Sequence, residues 1–202
     1  FGILPGLIEP DVLQTIQALP GVTSVDERVS NLNVRGGTND QNLMLWDGIK
    51  MYQSGHFFGL ISAFSPYLTH EVKVSKNGTS AMYGDGVSSI IDMKPSSTIS
   101  NKISGGLGFN MISTDAFTKI PLSDKLELQL SVRRSLTDLI KTPTYDTYYK
   151  RIFQDTDLTQ ITANSISSNE TFYFYDTSSK LTFDVTPKDK ITFNSLIIYN
   201  NL

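Results

Sequence analysis

Residues 125–136 read Lys-Leu-Glu-Leu-Gln-Leu-Ser-Val-Arg-Arg-Ser-Leu. Leu126, Leu128, Leu130 and Val132 fall on one parity; Lys125, Glu127, Gln129, Ser131 and Arg133 fall on the other. Side chains of a strand alternate between its two faces, so this stretch predicts a strand with one apolar and one polar face. The same alternation recurs on the segments after about residue 100. The chain holds nothing that could cover all those apolar faces.

Composition narrows the field only a little. At 202 residues the chain has the length of one or two ordinary domains. A hydrophobic content of 39% and a charged content of 18% select no soluble class. The net charge of −3 argues against a nucleic-acid partner, which would favour a basic surface. With no cysteine there is no disulfide framework and no thiolate metal site. No run approaches the roughly 18 apolar residues of a membrane-crossing helix, a criterion blind to β-barrels. The chain starts at Phe1, with neither an initiator Met nor a signal-like segment, and is expected to be a piece of a longer protein.

The two halves follow different rules. Residues 1–98 predict a small mixed α/β unit. Asp11 is placed to cap a short helix in which Val12, Leu13, Ile16 and Leu19 recur at helical spacing, and Pro20-Gly21 stops it. Short strands are expected around Asn31–Arg35, Leu43–Trp46, Glu71–Ser75 and Ser89–Met93. Glycine-rich turns separate them, and Pro66 is expected to open a helical turn through His70.

Residues 99–202 predict five long antiparallel strands. The first carries Ile103, Leu107, Phe109 and Met111 on one face; in the second, Phe117 breaks an otherwise alternating pattern. The third is the opening stretch. The fourth sets Tyr173, Tyr175, Leu181, Phe183 and Val185 against Asp176, Ser178, Lys180 and Asp184. The fifth sets Ile191, Phe193, Ile197 and Tyr199 against Thr192 and Asn194, with Leu196 and Ile198 out of place. Ser123-Asp124 and Thr186–Asp189 make short turns, whereas the connection from Leu139 to Glu170 is long. Transmembrane barrels alternate short turns at one rim with long loops at the other. Tyr173, Tyr175 and Tyr199 would lie near one interface, with Phe183 and Phe193 facing each other near the opposite one, as aromatic girdles do. Arg134 falls on the apolar parity near a strand end, where a long cation can snorkel. A soluble β-sandwich shares the alternation and stays open on periodicity alone, but needs a second sheet that five strands do not supply. Five strands also cannot close a barrel, which takes about eight.

Ordered motifs in the first half carry a resemblance. Asp11-Val-Leu-Gln-Thr-Ile-Gln-Ala-Leu-Pro-Gly-Val22 resembles the opening helix of the plug domain of TonB-dependent outer-membrane receptors. Asn33-Val-Arg-Gly-Gly37, Asn42-Leu-Met-Leu-Trp-Asp-Gly48, His56-Phe-Phe-Gly59, Phe64-Ser-Pro66, Glu71-Val-Lys-Val74, Ala81-Met-Tyr-Gly84 and Ser88-Ser-Ile-Ile-Asp92 follow in the family's order. Gly105-Gly-Leu-Gly108 and Ser131-Val-Arg-Arg-Ser135 resemble the first barrel strands of Bacteroidetes-type members. The resemblance implies an α+β plug domain over residues 1–98, then, over 99–202, the first five or so antiparallel strands of a transmembrane β-barrel of about 22 strands.

It further implies import across the bacterial outer membrane of a scarce ligand, such as an iron chelate, cobalamin or a glycan. The inner-membrane proton gradient would drive it through TonB, which acts on a segment expected upstream of Phe1. A signalling receptor, or a barrel scaffold partnered by a surface lipoprotein or another outer-membrane protein, stays open as an alternative. No cofactor is implied.

Candidate residues follow from the same comparison. Arg35, with Gly36, Gly37, Asp47 and Gly48, is expected to build or lock the plug, Arg35 by pairing with barrel acids, with an ordinary strand-end Arg in water as the alternative; Gly36-Gly37 and Asp47-Gly48 read first as turn residues. Tyr52, Gln53, Ser54, His56 and Phe57 are expected ligand contacts, since in the family plug loops at the outer apex meet substrate and these side chains stack and hydrogen-bond; a place in the plug core stays open for His56 and Phe57. Phe58 is expected in the plug core. His56 and His70 do not have metal-site spacing, and Asp155-Thr-Asp157 lacks the rest of an EF-hand loop. No nucleophile–base pair or carboxylate pair points to an enzyme.

Overall fold

The computed structural model describes residues 4–5, 10–26, 28–152 and 172–201, with only the backbone of Tyr149, Arg151 and Ile152. Helix α1 (Val12–Gln17) begins where Asp11 Oδ1 accepts the Gln14 amide at 2.9 Å. Val12, Leu13 and Ile16 are buried, worth about 1.5–3 kcal/mol apiece. Leu19 lies past the helix end and is partly exposed.

Eight short strands follow: β1 (Val22–Thr23), β2 (Asn33–Val34), β3 (Asn42–Trp46), β4 (Ile49–Lys50), β5 (Gly55–His56), β6 (Ile61–Ser62), β7 (Thr69–Lys76) and β8 (Ser89–Pro95). One sheet runs β4-β3-β8-β7, with β3 parallel to β8 and the other pairs antiparallel. Met44 and Trp46 of β3 pack with α1, and Leu43 and Leu45 pack with Ile90 on the opposite face. Burial on both faces explains why β3 reads as an unbroken apolar run. The Asp47-Gly48 turn has φ of 48° and 85°, the pair of left-handed residues that a two-residue hairpin requires. The helical turn expected from Pro66 through His70 is shorter than expected. A single turn closes with Thr69 N donating to Ser65 O, and Thr69 and His70 already belong to β7.

The second half is a five-stranded antiparallel meander: β9 (Ser104–Phe109), β10 (Ser113–Ser123), β11 (Leu126–Ser135), β12 (Tyr173–Asp184) and β13 (Lys190–Asn201). The last four strands run 10–12 residues, twice the usual length. Pro121, which donates no amide, sits at a register shift in β10. Tyr175 pairs with Tyr199 and stacks on it at 4.8 Å, with Tyr173 5.9 Å away, so the tyrosines cluster as expected. Phe183 and Phe193 do not face each other: the register sets Phe183 against Ile191 and Phe193 against Leu181. Between β11 and β12 the sequence hid a second helix, α2 (Pro143–Ile152), whose polar-aromatic sequence reads as loop. Asp155 and Asp157 lie outside the described residues.

Burial across this sheet is the inverse of a water-soluble one. Glu127 and Gln129 are 1% and 0% exposed, and Asp176, Ser178, Lys180 and Thr182 of β12 are buried with them. Leu107 and Phe193 are 90% and 67% exposed. The polar face is buried because the first half of the chain sits against it. The two pattern-breakers belong to this contact: Phe117 stacks on Tyr67 at 4.8 Å, and Leu196 packs on the core around α1.

An outward apolar face of this kind belongs in lipid. In bilayer-assembled full-length protein, Leu128→Arg is expected to cost about 2–4 kcal/mol by denaturant titration. A loss within about 0.5 kcal/mol, the usual range for a water-facing position, would place that face in water instead.

Candidate functional site

Two polar clusters join the first half to the sheet, one toward each end. At the short-turn end, the segment linking β8 to β9 lies along the sheet. Glu127 accepts the Ser100 amide at 2.6 Å and the Ser100 hydroxyl, and Gln129 Nε2 donates to Glu127 at 2.7 Å and to Ser96 O at 2.8 Å. Lys180 Nζ donates to Ser97 Oγ at 2.9 Å, and Lys190 Nζ donates to Ser97 O. The Lys180 ammonium also pairs at 2.8 Å with the Asp47 carboxylate on the β3–β4 turn, and both side chains are largely buried.

At the long-loop end, Asp176 Oδ2 accepts Arg133 Nε at 2.7 Å and stands 3.0 Å from His56 Nε2. Arg133 Nη2 reaches across to Ser62 O at 2.5 Å, and Asn200 Oδ1 lies 2.8 Å from His56 Nδ1. The imidazole stacks on Phe174 at 4.1 Å, and the Arg133 guanidinium lies over the same ring at 5.6 Å. One carboxylate thus ties a strand of the first half to two strands of the sheet. Beside this cluster a cavity of about 430 Å³ separates Asp11, Gln14 and the 64–67 turn from β9–β11. Burial pushes the Asp11 carboxyl above its usual range, against the pull of the Gln14 amide and the Arg133 charge.

A second cavity, about 310 Å³, opens beyond His56. Tyr52, Gln53, Ser54, Phe57 and Phe58 line one side, and Phe174, Asn200 and Asn201 line the other. Of the expected ligand contacts, Tyr52 is 88% exposed, Gln53 and Ser54 sit on the rim, and Phe57 forms the buried floor. His56 does not face the cavity. It is fully buried and both ring nitrogens are engaged, because β5 presses it onto β12. Phe58, expected in the core, is half exposed. Phe57, Phe58 and Gly59 all have positive φ (48°, 54° and 93°), a kink that turns the Phe58 ring outward. Left-handed phenylalanines are strained by about 1–3 kcal/mol each, a strain found at functional sites.

Among the expected plug residues, Arg35 is exposed, and among the described residues it has no ion pair. It forms a turn: Arg35 and Gly36 both have positive φ and Gly37 N donates to Val34 O at 2.9 Å. A Cβ on Gly37 would stand 2.2 Å from Ser88 Oγ, so the strand end accepts only glycine there. Within the described chain it is Asp47, read first as a turn residue, that pairs with the sheet. Sequence reasoning missed Lys180, Asp176, Arg133 and Asn200 as partners. The available signal was their place on the polar parity of strands whose polar face needed a cover.

Comparison with known proteins bears on this arrangement. Residues 9–89 match the family model described as the TonB-dependent Receptor Plug Domain. A mutant of the ferric enterobactin receptor PfeA from Pseudomonas aeruginosa superposes with a TM-score of 0.57 at 14% identity, over 91% of this chain and 29% of that one. The siderophore receptor PirA from Acinetobacter baumannii gives 0.54 at 13% identity, over 94% and 29%. No curated protein matches the chain. The fold is thus a TonB-dependent receptor plug domain followed by antiparallel strands of the kind found in those barrels. The chain spans 29% of either solved chain.

The Asp47–Lys180 pair gives a direct test of the plug–strand contact. Asp47→Ala leaves a buried ammonium without its counter-charge and is expected to cost about 3–5 kcal/mol of plug docking, as is Lys180→Ala. Asp47→Ala/Lys180→Ala should lose clearly less than the sum, read from the urea midpoint at which the plug becomes protease-sensitive. Small, additive losses would remove the pair from the account.

Proposed function

We propose that this chain is the plug and first barrel strands of a TonB-dependent outer-membrane receptor of the Bacteroidetes type that imports a scarce ligand. The observation that carries this reading is the plug seated against a polar, buried strand face whose reverse is apolar and exposed. A lumen wall and a lipid face on one sheet are what a plugged membrane barrel needs. Further strands, to about 22, would close the wall around the plug. This reading divides the chain at residues 98/99, within a segment whose Ser96, Ser97 and Ser100 are held by Gln129, Lys180, Lys190 and Glu127.

In this reading Tyr52, Gln53, Ser54 and Phe57 meet the ligand, whether iron chelate, cobalamin or glycan, while His56 holds the plug to the wall. Arg35, Gly36, Gly37, Asp47 and Gly48 shape and secure the plug. TonB would act on the N-terminal side of α1, with outer-membrane lipid around the strands. Plug displacement breaks hydrogen bonds and ion pairs that water can replace, each a small net change of about 0.5–1.5 kcal/mol for a neutral bond.

Proteoliposomes carrying the full-length receptor and an energised TonB complex test the reading. A bound ligand should enter when a proton gradient is applied, and stay outside when the gradient is collapsed. A receptor that binds nothing and moves nothing under both conditions would end the transport reading.

A further inference from the structure

His56 stands between the two cavities of the plug–sheet contact. Phe174 and Asn200 line the cavity beyond it, Arg133 and Asp176 line the one beside α1, and the imidazole bridges Asn200 to Asp176 while fully buried. Both ring nitrogens face oxygens that only accept: Asp176 Oδ2 lies 3.0 Å from Nε2, and Asn200 Oδ1 lies 2.8 Å from Nδ1. A neutral imidazole has one N–H and one bare nitrogen, whereas an imidazolium donates from both. As ring and amide stand, both bonds form only when each nitrogen carries a proton. Turning the Asn200 amide over would let Nδ2 donate to a bare Nδ1. It would also put Oδ1 where Nδ2 now has no partner among the described residues.

Charge favours the second proton. Arg133 Nε and His56 Nε2 both reach Asp176 Oδ2. Asp11, at the α1 cap, is close enough for the Arg133 charge to pull its carboxyl down against burial. Two ionised carboxylates and one guanidinium leave a negative charge over in a buried place, and an imidazolium cancels it. The surrounding elements bring few other charges to the ring. Tyr145 and Tyr148 of α2 pack on the neighbouring Phe57 and stay neutral near pH 7. Arg28, beside Gly59, pairs with Asp26 at 3.2 Å, and Asp115 lines the α1 cavity with Arg133.

We propose that His56 is a proton-operated latch of the plug. With a proton on both nitrogens it ties β5 to β12 and β13 at once; on losing one it releases a side and the plug sits more loosely. The inference concerns how the plug is held, and stands whether or not the receptor imports. The seated plug keeps the second proton, while a plug lifted into water leaves a solvated imidazole that titrates near about pH 6.5. Acid therefore favours the seated plug, and seating weakens as pH rises. The Asp11 carboxyl, raised by burial, acts in the same direction and has to be tested separately.

Full-length receptor in detergent tests this, through the urea midpoint at which the plug becomes protease-sensitive, followed from about pH 5.5 to about pH 8.5. In the unmodified receptor, and in Asp11→Asn, which keeps a capping oxygen, the midpoint should fall as pH rises through this range. In His56→Gln, neutral throughout, the fall should be largely lost. Asn200→Asp sets a second carboxylate against Nδ1 and should move the fall upward by about one pH unit or more. A midpoint in the unmodified receptor that is flat or rises with pH overturns the proposal. So does a fall that persists in His56→Gln or vanishes in Asp11→Asn. Should His56→Gln not assemble, Asn200→Asp decides: an unmoved or downward-moved fall overturns the latch.

Discussion

Glu127, Gln129, Asp176 and Lys180 lie on strand faces from which water is excluded only because the plug occupies its place. Everything else in the structure depends on that contact. A buried charge without a partner costs several kcal/mol, and a buried polar group without a hydrogen bond costs about 1–3. The wall therefore specifies what must sit against it: the Ser96–Ser100 segment, the Asp47 carboxylate, the His56 ring and the Ser62 carbonyl. The plug in turn has a small core of its own around α1 and β3. The two clusters differ in character. The one at the short-turn end clamps the linker itself, whereas the one at the long-loop end gathers His56, Arg133 and Asn200 around Asp176 next to the cavity.

In the proposed transport cycle, polar seams of this kind suit a body that must stay seated and still leave. A dry apolar interface of equal area would resist water entry; hydrogen bonds and ion pairs exchange for water at modest net cost if the water arrives as they break. The cavity between α1 and β9–β11 already separates plug from wall beside Arg133 and Asp176. In the proposed transport cycle that seam is the surface along which plug and wall part.

The sequence made the architecture legible because its two signals are local. Period-two alternation over residues 125–136 needs no tertiary information, and neither do the Asp-Gly turn or the Asp11 cap. What it hid depends on contacts made across the chain. Phe117 and Leu196 look like errors in the alternation until Tyr67 and the α1 core are placed opposite them. Asp47 reads as a turn residue because Lys180, over 130 positions away, cannot be paired with it from spacing. His56 reads as a ligand contact and Phe58 as core; a strained backbone at 57–59, invisible to propensity, exchanges their exposure. Helix α2 was missed because its apolar face is short and interrupted by threonine and tyrosine.

Depth and solvent access along β11 give the most direct measure of the central claim, that its polar face is buried by the plug and its apolar face by lipid. This chain has no cysteine, so single cysteines at 126–132 accept spin labels without background once any cysteine elsewhere in the full-length receptor is replaced by serine. In bilayers, full-length receptor labelled at 126, 128, 130 and 132 should relax with dissolved oxygen, and labels at 127, 129 and 131 should be shielded from both oxygen and a water-soluble nickel chelate. Deleting the plug should open 127, 129 and 131 to the nickel chelate and leave the even positions unchanged. Nickel access at the even positions, or at the odd ones with the plug in place, would contradict the account.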